Sequence, residues 1–482
     1  MRWLALVCAL CACRWHFDPL DGVDSANAPK GVLYGKASNT AQGVQFGGTV
    51  AISEDGNTIA ICSQLESSTG GAGSGAVYVF VRAGDSWIEQ AYLKASNAEL
   101  ADLFGRSVTL SADGNTLAVG ANGEDSLITG VNGDETNNSA SASGAVYVFV
   151  RVGSTWMQQA YVKASNSDAN DEFGTSVALS ADGYVLAVGA MGEASASVGV
   201  GGSQTGNSAN SAGAVYVFTR VGTTWSQQEY IKASNTESGD RFGEELALSD
   251  DGTTLAVSAP LEDSNGTPSD NSLSEAGAVY VFVYAGGWTQ QAYVKADVVD
   301  LTTASGAIDQ FGWNVALSAD GNTLAIGARL ESSAATLVNG DATDNSALSS
   351  GAAYIFTRDA GTWTQRAYIK APNTRPDDFF GEVIDLSRAG DVLVVGAPNQ
   401  DDIAADSGAV YVYRLIDGAW FYDFTLKAPM PGVGDQFSPV AISGNGATIV
   451  VGAPNEDGGA TGIDGDQSDN SAPDAGAFYI FE

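Results

Sequence analysis

Apolar and polar positions alternate by twos along most of this chain. The stretch "SVTLSADGNTLAVGA", starting at Ser107, holds two alternating runs separated by polar residues. No helical period of apolar positions accompanies them, so the pattern predicts strands. Asp113-Gly114 lies between the runs and reads as a two-residue hairpin turn, since both residue types accept positive φ. A third run, "GAVYVF" at Gly144, is apolar on both its Val face and its Tyr/Phe face, which predicts a strand covered on both sides. A fourth, "TWMQQAYVKAS", completes a four-stranded antiparallel unit.

The unit recurs. Phe-Gly stands at Phe46, Phe104, Phe173, Phe242, Phe311 and Phe380, with a seventh copy as Phe437-Ser438, at spacings of 58, 69, 69, 69, 69 and 57 residues. Fixed periods of this size belong to propellers and solenoids. The third strand repeats at Gly75, Gly144, Gly213, Gly277, Gly351, Gly408 and Gly476. The fourth carries Trp87, Trp156, Trp225, Trp288, Trp363 and Trp420, each followed seven residues later by a lysine. The last unit stops at Phe481-Glu482 without a fourth strand, whereas "GVLYGKASN" at 31–39 matches that strand and supplies Lys36 as the seventh such lysine. The fold class is therefore all-β: a seven-bladed β-propeller of four-stranded antiparallel blades, its ring closed by residues 31–39 completing the C-terminal blade. Phe104 is expected to pack between blades, and Gly105 to let main chains approach.

Composition narrows the chemistry. The net charge is −36, from 57 Asp plus Glu against 21 Lys plus Arg, which repels nucleic acid and excludes it as a partner. The single histidine, His16, precedes the repeats, so a Ser-His-Asp triad, a Cys-His pair or His-ligated zinc cannot be built within them. Three of the four cysteines fall in the first thirteen residues, so there is no disulfide framework, and Cys62 reads as a small core residue. Residues 1–12 read as a lipoprotein-like signal peptide, with Leu10-Cys11-Ala12-Cys13 similar to a lipobox and Cys13 the lipidated residue; 13–29 read as a tether and 30–482 as the propeller. The expected location is secreted or cell envelope, as an outer-membrane lipoprotein that touches the membrane only through its N-terminal lipid, and as a monomer.

Long loops on a rigid scaffold are where function concentrates. The connections from second to third strand are long, except in blades one and six, and share a face with the connections between blades. An acid follows the Gly-Ala pair at Glu66, Glu124, Glu193, Glu262, Glu331 and Glu456, with Gln400 in blade six. Asn-Ser recurs five residues before the third-strand glycine, three times after an Asp, and another Asp precedes each Phe-Gly by two residues from Asp102 onward. Oxygen-rich positions of this kind suit calcium, and the candidate ligands are Glu124, Asp134, Glu262, Asp270, Asp344, Glu456, Asp457 and Asp469. Turn capping by the same side chains, and pairing with the fourth-strand lysines, are the competing expectations.

Phe-Gly, then Gly-Ala-Pro (Gly396-Ala397-Pro398, Gly452-Ala453-Pro454), then "GAVYVF" resembles the FG-GAP repeat of the integrin α-subunit propeller and of many bacterial surface proteins. The likeness spans 31–482. The family's D-x-D-x-D-G-x-x-D calcium loop is not carried over, because the matching turn here is only "SADGNT". The resemblance implies a non-catalytic extracellular recognition or adhesion propeller that binds a protein or glycan on its long-loop face, with calcium as a candidate cofactor. A lectin using the repeated tryptophans and a polysaccharide-acting enzyme using carboxylates are the alternatives.

Overall fold

The computed structural model describes residues 28–29, 31–297 and 309–482. The proposed signal peptide, Cys13 and His16 lie outside the described residues. The described chain is all-β: seven sheets of antiparallel strands stand around a central channel as the blades of a propeller. Blade two is representative, with strands Ser107–Leu110, Thr116–Ala121, Ala145–Val152 and Thr155–Val162 in consecutive order from the channel outward. In blade seven the outermost position is filled by Val32–Gly35, which pairs with Ala477–Phe481 in the register Val32↔Phe481, Leu33↔Ile480, Tyr34↔Tyr479 and Gly35↔Phe478. The ring closes as its sequence predicts, and closure removes the free edges of an open sheet.

The two-sided apolar character of the third strands has its cause in the packing between blades. One cluster joins Val77 and Val79 of blade one to Phe104, Val119 and Tyr147 of blade two, and equivalent clusters follow around the ring to Phe46, Tyr78, Phe478 and Ile480 at the closure. Phe104 is fully buried and meets Tyr147 edge-on at a centroid distance of 5.4 Å. At the same junction Gly75, with φ +78°, lies so close that a Cβ there would sit 2.0 Å from the Phe104 carbonyl oxygen. The amide of Phe104 donates to Ser74 O at 3.3 Å. This main-chain contact repeats at every junction, and at the closure Gly476 meets Phe46 while the Phe46 amide donates to Ala475 O at 3.1 Å. Only glycine fits both the φ and the approach.

A second junction lies on the outer rim. Each fourth strand of blades one to four has a bulge that inserts one extra residue: Gln90, Gln159, Gln228 and Gln291. A bulge re-aims a side chain. Here it sends each glutamine to the next blade, where its Oε1 accepts the indole N–H of Trp156, Trp225, Trp288 and Trp363 at 3.0–3.1 Å. The repeated tryptophans are structural, with Trp87, Trp156, Trp225, Trp288 and Trp420 all buried. Cys62 is likewise a buried core thiol.

The turn between first and second strands differs from its expected form. Ser111 N donates to Thr116 O and Gly114 N to Ser111 O, which leaves four residues in the loop instead of two. Gly114 has φ +62° but Asp113 keeps an ordinary negative φ, so the paired positive φ values of a two-residue turn are not available. Asp113 instead accepts the Ser111 hydroxyl at 2.6 Å and the Asn115 amide at 3.0 Å, which caps the turn.

Truncating Phe104 removes a ring shared by two blades. Phe104→Ala is expected to cost about 3–5 kcal/mol in denaturant unfolding; a cost below about 1 kcal/mol contradicts the packing described.

Candidate binding site at the mouth of the central channel

The two faces of the ring are built unequally. One carries only the short capped turns. There, main-chain hydrogen bonds of 2.9–3.0 Å run from blade to blade, Ala112 to Ala181 to Asp250 to Ala319 to Arg388 to Gly444 to Glu54. Arg388 also forms ion pairs with Glu54 and Asp250, which belong to blades one and four, and so spans this end of the channel. The other face carries every long loop. In blades two, three, five and seven part of the long loop folds outward along its own outer strand, through Val131↔Val162, Val200↔Ile231, Leu337↔Lys370 and Ile463↔Gly35. These segments cover sheet edges.

The repeated acids of the loop face have internal partners. Glu124 Oε2 takes Lys163 Nζ at 2.8 Å, and Oε1 accepts the Tyr161 hydroxyl at 2.7 Å and Asn97 Nδ2 at 3.2 Å. The same pairing joins Lys36–Glu456, Lys94–Glu66, Lys232–Glu193, Lys295–Glu262 and Lys370–Glu331 at 2.6–3.2 Å, with the lysine side chains nearly or wholly buried. Burial lowers the pKa of Lys36, Lys163, Lys232, Lys295 and Lys370, against the opposing pull of their glutamates. Blade six departs: Lys427 turns to Gln400 and, at 3.7 Å, to Asp402.

This arrangement decides the fit of calcium. Glu124, Glu262 and Glu456 face lysines. Asp270, Asp344 and Asp469 accept the amides of Ser272, Ser346 and Ser471 at 3.0–3.1 Å, Asp134 accepts Thr136 N at 3.0 Å, and Asp457 accepts Asp474 N at 3.0 Å. The eight are spread over four blades. Among the described residues no group of three or more His, Cys, Asp or Glu could hold a metal ion. The residues do not fit a calcium site; they cap turns and neutralise lysines.

A further ring of acids precedes the Phe-Gly pairs. Asp102, Asp171, Asp240, Asp378 and Asp435 are buried, each accepting one backbone amide at 2.6–3.0 Å. Burial pushes Asp171, Asp240 and Asp378 up to about 7, and Asp102 and Asp435 up to about 6.

What varies from blade to blade lies next to Phe-Gly. The residue after the pair is Gly48, Arg106, Thr175, Glu244, Trp313 or Glu382, and Pro439 follows Phe437-Ser438. The residue before it is Gln45, Leu103, Glu172, Arg241, Gln310, Phe379 or Gln436, in all seven cases a side-chain-bearing residue with φ between 52° and 58°. That conformation costs about 1 kcal/mol or more without glycine. Several of these side chains converge on a central cavity of about 760 Å³, lined by Arg106, Glu244, Glu245, Trp313, Phe379 and Glu382 among others. Arg329 lies 3.1 Å over the Trp313 ring and pairs with Glu382 at 3.3 Å. Glu244 is 6% exposed; Arg241 stands 3.8 Å from its Oε2, which has no hydrogen-bond partner. Burial pushes Glu245 up to about 7 against the opposing charge of Arg106.

The chain belongs to the FG-GAP repeat family. The FG-GAP repeat matches residues 36–80, 87–149, 156–218, 225–282, 288–356 and 363–413. No curated protein matches the sequence. Solved structures with a similar fold include a candidate 6-phosphogluconolactonase from Bacteroides uniformis, at 13% identity and TM-score 0.47 over 83% of this chain and 97% of that one. They also include hydrazine synthase of Kuenenia stuttgartiensis, at 13% identity and TM-score 0.49 over 86% and 94%. Likenesses this distant carry no chemistry across. The FG-GAP frame residues themselves, Phe, Gly, Lys and Glu, are consumed in packing and pairing. Repeated acids do not mark the channel mouth. Its signal is the opposite one, the position where otherwise identical repeats disagree.

Lys163→Met leaves Glu124 buried without its cation and is expected to cost about 3–5 kcal/mol, while Lys163→Met/Glu124→Gln, which keeps an acceptor for Tyr161 and Asn97, recovers most of it in denaturant unfolding; equal losses in both variants contradict the pairing. The raised aspartates give a pH prediction. Their folded pKa exceeds the unfolded value, so the folded state holds more protons between about pH 4 and 7 and stability falls as pH rises through that window. The melting temperature is expected to be higher at pH 5 than at pH 8, and a fall on acidification contradicts the burial of these carboxyls.

Proposed function

We propose that this FG-GAP protein is a non-catalytic recognition or adhesion propeller of the cell envelope, held to the outer membrane through lipidated Cys13, that binds an extracellular protein or glycan on its long-loop face. The observation that carries the reading is the inequality of the two faces. The turn face is tied together by blade-to-blade main-chain bonds and crossed by the Arg388 bridge, while the loop face combines variable loops with the channel mouth. The net charge of −36 favours a partner other than nucleic acid. The partner contact does not depend on calcium, since the carboxylates that would hold it have other partners. A second reading, a polysaccharide-acting enzyme, draws support from Glu244 and Glu245 beside each other in the channel. A lectin built on the repeated tryptophans has no such support, because those rings are packed between strands.

The test compares the faces. Thr136→Arg/Thr343→Arg alters two exposed loop positions and Asn115→Arg/Asn322→Arg two positions on the turn face. Binding to cell-envelope protein and glycan fractions, measured in chelator, is expected to weaken at least about tenfold, roughly 1.4 kcal/mol, in the first variant and to stay unchanged in the second. Loss confined to the turn-face variant, or loss of all binding in chelator, contradicts the proposal.

A further inference from the structure

Resting on the recognition reading, we infer that the channel mouth is a binding site for the end of a neutral carbohydrate chain, held between Arg106, Glu244 and Glu245 and walled by Trp313 and Phe379. The cavity, about 760 Å³, is of the size that accepts a small ligand or one to a few sugar rings. It is lined along the first strands of all seven blades, from Arg106 and Glu244 near the loop face to Leu110 and Leu248 near the turns, and Arg388 bridges Glu54 and Asp250 across the turn end, so the loop-face mouth is taken as the entry for a chain end.

Charge balance selects the ligand class. The carboxylates lining the cavity are already engaged: Glu382 pairs with Arg329 at 3.3 Å, Glu244 stands 3.8 Å from Arg241, the charge of Arg106 acts on both Glu244 and Glu245, and Asp385 accepts the amides of Leu386 and Ile442 at 2.8–2.9 Å. A cationic ligand has to displace an arginine, and an anionic one has to displace a glutamate. A polyol displaces neither. Its hydroxyls donate to carboxylate oxygens and accept from guanidinium N–H groups at once. Glu244 lines the cavity, and its buried Oε2 has Arg241 at 3.8 Å but no hydrogen-bond partner. Trp313 and Phe379 are half-buried aromatic residues at positions where the other blades place none; Arg329 stacks on one face of the Trp313 ring, and a sugar's C–H face packs on Phe379 beside that stacked pair. The asymmetry itself points to a ligand. The seven blades repeat the residues of the frame and differ at the positions bordering this cavity, and at the residue before Phe-Gly they keep side chains in a conformation that glycine would adopt without strain.

Calorimetry on the whole protein tests this with neutral oligomers of glucose, mannose, galactose and N-acetylglucosamine, beside oligogalacturonate and glucosamine oligomers. At least one neutral oligomer is expected to bind. Trp313→Ala, Phe379→Ala and Glu245→Gln are each expected to weaken it at least about tenfold, while the turn-face variant Asn115→Arg/Asn322→Arg leaves it unchanged, with melting temperatures showing each variant folded. Cleavage of the neutral oligomer that is lost in Glu245→Gln also supports the site and its ligand class, while overturning the non-catalytic reading. The inference is overturned if only charged oligomers bind, if no oligomer binds, or if binding survives all three channel variants. If envelope binding still depends on the loop face in those cases, the recognition reading stands without this site.

Discussion

Everything in this ring depends on a main-chain contact in which the third-strand glycine of one blade lies against the Phe of the next blade's Phe-Gly pair. Gly75 on Phe104, Gly144 on Phe173 and so on to Gly476 on Phe46 set the spacing of the blades at their inner ends. Each contact brings a buried aromatic ring into a core shared by two sheets, so no blade has a complete core of its own. The units are consequently stable only as a set. The outer glutamine–tryptophan bonds join the first five blades and are absent where Arg366 and Asp423 occupy the bulge, whereas the inner contact has no exception.

A frame fixed so rigidly by repetition leaves function to what does not repeat. The conspicuous acids of the loops neutralise buried lysines or cap turns, and the long loops partly seal sheet edges. The residues free to differ cluster around the channel, where arginines not used by the frame, Arg106, Arg241 and Arg329, meet Glu244, Glu245 and Glu382. A protein of net charge −36 thus keeps a mixed-charge mouth, with Arg106 and Arg329 among its acids.

Much of the architecture was legible in the chain. Alternation gave the strands, the return of Phe-Gly gave the blade count, and the match of 31–39 to the missing outer strand gave the closure, because all three are properties of order along the sequence. Distances across the fold were not legible. Lys163 and Glu124 stand 39 residues apart, so an oxygen-rich loop looked open to a cation until the structure placed an ammonium at 2.8 Å. The Asp113-Gly114 pair signalled a turn correctly but not its length, since that depends on whether Asp113 takes positive φ. The second glutamine of "MQQAY" gave no hint of a bulge, because a bulge is a relation between two strands. The channel mouth escaped for a different reason: its residues share no chemistry from blade to blade, and only their common place beside Phe-Gly marks them.

The closure of the ring is the claim on which the faces, the channel and its mouth all rest. Native-state hydrogen exchange at residues 32–35 tests it most directly. The account predicts protection equal to that of the third strands Ala214–Val221 and Ala278–Tyr284, released only by global unfolding. Exchange of 32–35 at the rate of a free terminus, with Ala477–Phe481 still protected, would contradict it.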